Sequence, residues 1–131
     1  MKLFRFVRDS RGATALEFGL LAPAFFAAVI GTFQVGTLLW TQLGLQHATE
    51  MAARCASLNS KYSTKCNTAT ATKTYAATQA LGMQVPSSIF TVTSGLACGN
   101  QVTASYDYTH IAAMFGVPKI TLSAQSCFPP S

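Results

Sequence analysis

A long segment without charged residues, Phe18 to Gln46, constrains this chain more than any other feature of its sequence. An α-helix needs about 20 mostly apolar residues to cross the roughly 30 Å of hydrocarbon in a bilayer. The segment exceeds that length and is too short for two crossings. The sequence therefore predicts one transmembrane segment, at about residues 18–40.

The basic residues cluster ahead of this segment. Lys2, Arg5, Arg8 and Arg11 precede it, with only Asp9 opposing them. The positive-inside rule then predicts a cytoplasmic N-terminus, a single pass through the membrane and a C-terminal part exported to the other side. The later bases are scattered singly, and we therefore predict no nucleic-acid binding.

Beyond Trp40 the pattern becomes amphipathic and still helical. The apolar positions are Leu43, Leu45, Ala48, Ala52, Ala53 and Ala56. Polar and charged residues stand between them, which is the spacing of a helix with one buried face. We predict one helix from Ala13 to about Leu58.

The C-terminal part has strand character. A short helix is predicted within residues 68–83, ending near Gly82. Three segments rich in Val, Ile, Thr and Tyr follow, at Ile89–Thr93, Val102–Tyr108 and Ile120–Ala124, with a loop predicted at Gly95–Asn100. The predicted fold class is α+β, a long N-terminal helix with a small antiparallel sheet.

Four cysteines follow the apolar segment: Cys55, Cys66, Cys98 and Cys127. An even number in an exported part favours disulfides over a metal site, since the chain has no C-x-x-C motif. We favour Cys55 with Cys66 and Cys98 with Cys127, although the sequence allows three pairings. No metal or other cofactor is predicted.

An acidic residue stands at the entrance to the apolar helix. The segment Arg11-Gly12-Ala13-Thr14-Ala15-Leu16-Glu17-Phe18 ends a basic head with glycine and then presents Glu17. An acid at the centre of a transmembrane helix costs about 2.5–3.5 kcal/mol, so a retained acid near the membrane boundary is a functional candidate. The alternative is that Glu17 lies shallow among the lipid headgroups.

These residues resemble the TadE-like minor pilins, or pseudopilins, of the tight-adherence (Tad/Flp) type IVb pilus. The resemblance rests on Arg11-Gly12, Glu17-Phe18, Pro23, Gly31 and Gly36. It covers the opening half closely, and the C-terminal part only as a pattern of spaced strands. It implies a pilin-like fold and a role in pilus assembly, adhesion, biofilm formation or secretion.

The resemblance also implies processing by a prepilin peptidase between Gly12 and Ala13. The predicted organisation is then a leader at 1–12, a long helix at 13–58 and a small exported domain at 59–131. Glu17 would meet the new amine of Ala13 on its own or a neighbouring subunit. Phe18 replaces the tyrosine frequent in major pilins, and this chain is much longer than those pilins. Both features favour a minor subunit. The implied partners are the peptidase, other pilin or pseudopilin subunits, the Tad inner-membrane assembly machinery and the membrane.

Within the span, Pro23 removes a backbone donor and is expected to bend the helix. Ala27 with Gly31 and Thr32 with Gly36 have the spacing of small-residue contacts between neighbouring helices. Lipid-facing filler is the alternative for these four residues.

Other classes of protein remain as alternatives. A secretory signal peptide shares the basic head. Its apolar core is shorter, however, and the signal peptidase cuts after that core. An uncleaved single-pass anchor with an exported binding domain fits the hydropathy and leaves Gly12 and Glu17 unexplained. Catalysis has no support. His47 and Glu50 lack a third partner and are interpreted as a solvated helix face, and Asp107 and His110 are interpreted as a surface loop at a strand end. No G-x-S-x-G, Walker or H-E-x-x-H motif occurs.

Overall fold

The computed structural model describes residues 13–58 and 64–130. Its elements are α1 (Ala13–Ser57), α2 (Ala69–Thr78), β1 (Phe90–Leu96), β2 (Gly99–Tyr108) and β3 (Ile120–Phe128), with 3-10 turns at Ser87–Ile89 and Ile111–Phe115. This arrangement confirms the predicted α+β fold with one long N-terminal helix and a small antiparallel sheet. The predicted leader at 1–12 lies outside the described residues.

The chain divides into two compact units, Met1–Gly36 and Thr37–Ser131. We call them the first and second units. The boundary falls within α1, so the last part of this helix belongs to the same unit as the sheet. The predicted domain boundaries after residues 12 and 58 stay predictions.

In the first unit, the described residues 13–36 are helical throughout. Pro23 lies inside α1, and the helix is uninterrupted on either side of it. A proline removes one backbone hydrogen bond and clashes with the preceding turn, which commonly kinks a helix. The bend predicted at Pro23 therefore stays a prediction, while a break in helical structure there is absent.

The sheet of the second unit has the strand order β1-β2-β3, and both pairs are antiparallel. Phe90 pairs with Ala104, and Ala104 pairs with Ala124 in the next strand. All three side chains are buried, so this row lies on the inner face of the sheet. Successive side chains of a strand point to opposite faces, and the alternate residues of β2 and β3 are accordingly mostly polar.

Small side chains form most of the core. Its fully or almost fully buried residues are Leu45, Ala48, Ala52, Ala53, Ala76, Ala80, Phe90, Val102, Ala104, Leu122 and Ala124. A Cβ added at Gly44 would lie 3.2 Å from the carbonyl oxygen of Ala80, so α1 passes very close to the end of α2. Alanine and glycine permit this approach because they leave no side chain between the two backbones. Leu43, expected on the buried face, is instead exposed.

Polar contacts join the last part of α1 to the sheet at both ends of the second unit. The hydroxyls of Thr37 and Tyr108 are 2.6 Å apart. At the other end, Asn100 Nδ2 donates to the carbonyl oxygen of Ala56 at 2.9 Å. In the opposite direction, Ser57 Oγ at the C-terminus of α1 donates to the carbonyl oxygen of Phe128 in β3 at 2.8 Å, so α1 and the sheet each bind a backbone carbonyl of the other.

The second helix is shorter than predicted. α2 begins behind an N-cap in which Thr68 Oγ1 accepts from the backbone N–H of Ala71 at 3.1 Å. It ends at Thr78, whereas the sequence predicted an end near Gly82. The reason is that the chain turns after Gln79, with φ of 49° at Leu81 and 81° at Gly82. Those left-handed conformations cannot continue a right-handed helix.

The predicted loop at Gly95–Asn100 was wrong in extent, because this segment forms a tight hairpin. β1 continues to Leu96 and β2 begins at Gly99, with an irregular register between Thr93 and Leu96. Gly95 and Gly99 have φ of 79° and 111°, which glycine adopts without steric cost. Glycines in a sequence usually indicate a loop. Here Gly95 and Gly99 instead permit a tight turn, so the strands continue on either side of it.

Two disulfides lie in the second unit. Cys55 pairs with Cys66 at a Cα–Cα distance of 5.7 Å, and Cys98 pairs with Cys127 at 6.0 Å. These are the pairs that the sequence analysis favoured. The first ties the last turns of α1 to the segment before α2, and the second ties the hairpin to β3. β3 is longer than predicted, since it extends beyond Ala124 to Phe128 and includes Cys127.

Candidate assembly surface

The first unit presents a continuous apolar surface. Its exposed large apolar residues are Leu16, Phe18, Leu20, Leu21, Phe25, Phe26, Val29, Ile30, Phe33 and Val35. The helix has an 18-residue window with mean hydropathy 1.8, and none of that window is buried inside the protein. α1 is thus the one helix of the described residues that is long and apolar enough to cross a membrane.

Glu17 is the only residue with an ionisable side chain among described residues 13–36. It lies one helical turn after Ala13, where α1 begins, so positions 13 and 17 share one face of the helix. The Glu17 side chain is exposed. Gly12, on the other side of the predicted processing site, lies outside the described residues. The helix therefore places a carboxylate within reach of the position where a processed amine would stand.

Phe18 belongs to an apolar groove on the surface of α1. Leu21, Ala22, Phe25 and Phe26 line the groove with it. The rings of Phe25 and Phe26 meet edge to face, with centroids 5.7 Å apart. The spacing of three or four residues keeps most of these side chains on one side of the helix. The groove is therefore an exposed apolar surface on one side of α1.

The small residues predicted for helix packing are all exposed: Ala27, Gly31, Thr32 and Gly36. A Cβ added at Gly31 or Gly36 would meet nothing within 4 Å. Thr32 Oγ1 donates to the carbonyl oxygen of Ala28 at 2.9 Å, so the hydroxyl is satisfied within its own helix. Within this unit these positions are open, as a partner helix would require, and their predicted packing role stays a prediction.

The candidate catalytic pairs bind structural partners. His47 Nδ1 lies 3.0 Å from the carbonyl oxygen of Gln79, and Glu50 forms an ion pair with Arg54. Thr121 Oγ1 donates to Asp107 Oδ1, and His110 Nε2 lies 3.0 Å from the carbonyl oxygen of Pro118. Residues 13–58 and 64–130 contain no group of three side chains that could hold a metal ion.

The residues that hold α1 against the sheet were not predicted from the sequence. The Thr37–Tyr108 pair joins positions 71 residues apart, and Gln42 Nε2 donates to the carbonyl oxygen of Ser123 across 81 residues. Periodicity finds a buried face, but it does not find partners at this separation. The available signal was the polar residues Thr37 and Gln42 within a largely apolar predicted helix.

The described residues combine an exposed apolar helix, long and apolar enough to cross a membrane, with a small α+β unit that carries two disulfides. Residues 12–54 match the family model described as TadE-like protein, so the resemblance predicted from the opening residues is confirmed over this segment. The match covers about a third of the chain, starts at Gly12 and ends within α1. No curated protein and no solved structure shows a match.

Proposed function

We propose that the chain is a minor pilin, or pseudopilin, that acts in assembly of a Tad/Flp-type pilus. The observation that carries this proposal is the exposed apolar part of α1 with Glu17 one turn from Ala13, inside the segment that matches the TadE-like family. A prepilin peptidase cuts between Gly12 and Ala13. The subunit takes part in pilus biogenesis and thereby in adhesion, biofilm formation or secretion, and it has no catalytic role.

The physical basis of assembly is exchange of lipid for other helices. Lipid tails are as apolar as leucine, so helices in a membrane associate through close packing and polar contacts. The open positions at Gly31 and Gly36 allow close approach. The Glu17 carboxylate and the amine of Ala13 attract each other strongly in an apolar bundle, because little water screens them. This charge pair would fix how far neighbouring helices are shifted along their axes, which apolar packing alone does not fix.

The proposed partners are the prepilin peptidase, other pilin or pseudopilin subunits and the Tad inner-membrane machinery. The proposed location is the bacterial inner membrane, with a cytoplasmic N-terminus and the second unit in the periplasm. The apolar helix and the basic residues before it support this orientation.

Mapping the mature N-terminus by intact mass and N-terminal sequencing tests the proposal. We expect Ala13 as the first residue, and retention of residues 1–12 in Gly12→Val, because a branched side chain obstructs access to the bond. Gly19→Val is the matched control, since a Cβ at Gly19 meets nothing within 4 Å. Retention of Met1 in the unaltered chain contradicts the proposal.

The same preparation tests Glu17. We expect Glu17→Gln to be processed normally and to lose co-purification with the other pilins of its system, because the amide keeps the shape and removes the charge. Equal recovery of partners with Glu17→Gln and with the unaltered chain contradicts the pairing.

The second candidate function is an uncleaved single-pass anchor for an exported binding domain. The hydropathy of α1 fits this function as well as it fits the pilin proposal. A retained leader together with a stable membrane location supports this alternative.

A further inference from the structure

The loop between β2 and β3 exposes apolar side chains. We define the β2–β3 loop as residues 109–119, which contains the 3-10 turn Ile111–Phe115. Met114 is 85% exposed, and Ile111 and Val117 are 49% and 47% exposed. Ile120, the first residue of β3, adds a further exposed apolar side chain. Isolated apolar residues are ordinary on protein surfaces, but several in one loop indicate an interaction site.

The hydrogen bonds to α1 show at which end of the second unit this loop lies. β2 contacts α1 through Asn100 at Ala56 and through Tyr108 at Thr37. Those contacts are separated by about 29 Å along the helix and about 27 Å along the strand, from the standard rise per residue. The strand therefore runs alongside the helix in the opposite direction, and the β2–β3 loop leaves it at the Thr37 end.

The Thr37 end is where the chain enters the second unit from its apolar segment. Thr37 directly follows Gly36, the last residue of the first unit. Trp40, one turn further along α1, is 56% exposed. Tryptophan and tyrosine concentrate at the boundary between hydrocarbon and water, and Tyr108 lies at this level too. The predicted span of residues 18–40 therefore ends in the same turns of α1 that contact Tyr108.

We propose that the β2–β3 loop inserts its apolar side chains into the lipid surface at the end of the α1 span. Met114, Ile111 and Val117 enter the boundary between headgroups and acyl chains, and Lys119 reaches lipid phosphates while its stem covers apolar surface. This inference rests on the membrane location in the proposed function. It gives the second unit a separate attachment to the membrane, which must be released before a subunit can leave the bilayer.

Lipid is favoured as the occupant over a second copy of the chain because the apolar loop lies at the same end of the second unit as Trp40 and Tyr108, two residue types that concentrate at the membrane–water boundary. In the sequence, this end of the unit directly follows the apolar segment. The opposite end, at the β1–β2 hairpin, carries the exposed Leu96 and is tied by the Cys98–Cys127 disulfide. Leu96 therefore serves as an apolar control far from the proposed lipid contact.

Tryptophan fluorescence of the full chain in vesicles of phosphatidylcholine and phosphatidylglycerol tests this proposal. The chain has one tryptophan, so all variants carry Trp40→Phe. We expect Met114→Trp to show blue-shifted emission that brominated acyl chains quench strongly. Leu96→Trp should keep the emission of a water-exposed residue and resist quenching. Phe26→Trp reports the span itself and should be quenched most by deeply placed bromine.

The outcomes separate this inference from the proposed function. Quenching of Phe26→Trp with no more quenching of Met114→Trp than of Leu96→Trp overturns the loop insertion and leaves the membrane span intact. Blue-shifted Met114→Trp emission that bromine does not quench shows a protein neighbour, such as a second copy, and also overturns it. Absence of quenching in Phe26→Trp overturns the membrane location and the loop insertion together.

Discussion

Gly99 occupies the point where the β1–β2 hairpin meets the end of β3. Its φ of 111° lies in the left-handed region, and a Cβ there would collide with backbone atoms of Phe128 and Pro129. Gly95, in the same hairpin, also has a positive φ of 79° but has open space around it. A substitution at Gly95 would therefore meet backbone strain alone, whereas a substitution at Gly99 would meet both strain and a steric clash.

We predict that Gly99→Ala lowers the free energy of unfolding of the second unit by about 3 kcal/mol or more, because strain and collision add. Gly95→Ala should cost only about 1–2 kcal/mol, from strain alone. Urea unfolding of the full chain in detergent micelles, followed by near-UV circular dichroism, measures both. Equal costs for the two variants would show that β3 moves aside without penalty.

Side-chain partners were the least predictable feature at this scale. Tyr108 was part of a predicted strand and Asn100 was part of the predicted loop, but nothing near them in the sequence indicates that they bind Thr37 and Ala56. Glu17 is different, because an acid beside a long apolar segment is recognisable without a structure. Its position in α1 agrees with the sequence, and its pairing stays a prediction.

The elements were predicted where periodicity is long and regular. α1 was expected at Ala13 to about Leu58 and ends at Ser57. The strands were predicted in the right places, but the predicted strands were too short. β1 and β2 each continue into the segment predicted as a loop. Glycine and cysteine at Gly95, Cys98 and Gly99 interrupt the strand pattern, although they form a hairpin that tertiary pairing and a disulfide stabilise.

The two disulfides give a prediction at the level of elements. Cys55–Cys66 spans 11 residues and Cys98–Cys127 spans 29. A crosslink stabilises mainly by restricting the unfolded chain, and by this argument each contributes about 3 kcal/mol, with the wider loop ahead by less than about 1 kcal/mol. We expect paired Cys→Ala replacements to lower the urea midpoint in that order.

Each disulfide variant serves as the matched control for the other, because both remove two sulfurs from the second unit. A larger loss from the Cys55/Cys66 replacement would indicate that native-state packing at the end of α1 outweighs the restriction of the unfolded chain.

At the scale of the whole molecule, the first and second units depend on different environments. Described residues 13–36 form a helix with exposed apolar side chains, whereas residues 37–58 and 64–130 contain their own core. In an apolar medium the backbone of a helix keeps its hydrogen bonds because no water competes for them. The second unit unfolds in water by exposing its alanine-rich core. One two-state transition is therefore not expected for the full chain.

We predict that denaturation in micelles removes the near-UV signal of the second unit while part of the far-UV helical signal persists. The persisting part should correspond to the apolar segment of α1. Simultaneous loss of both signals across the urea range would show that the two units unfold together.

The general architecture of the molecule was predictable because hydropathy, charge and cysteine number each constrain it separately. The division at Gly36 and Thr37 was not, since the helix is continuous there and only contacts made far along the chain mark the change. The candidate assembly surface was predictable as a set of residues, and its partners are not part of this sequence.

Neither disulfide joins α1 to the sheet. One closes a loop beside the helix, and the other closes a loop within the hairpin and β3. Under mechanical tension along the chain, the helix can therefore separate from the sheet without breaking a covalent bond. The stretched chain would still be limited, because the residues enclosed by the two loops, 11 and 29 along the sequence, cannot extend. That shortens its reach by roughly 130 Å at full extension, so the crosslinks limit extension while leaving the interface between helix and sheet free to yield and re-form.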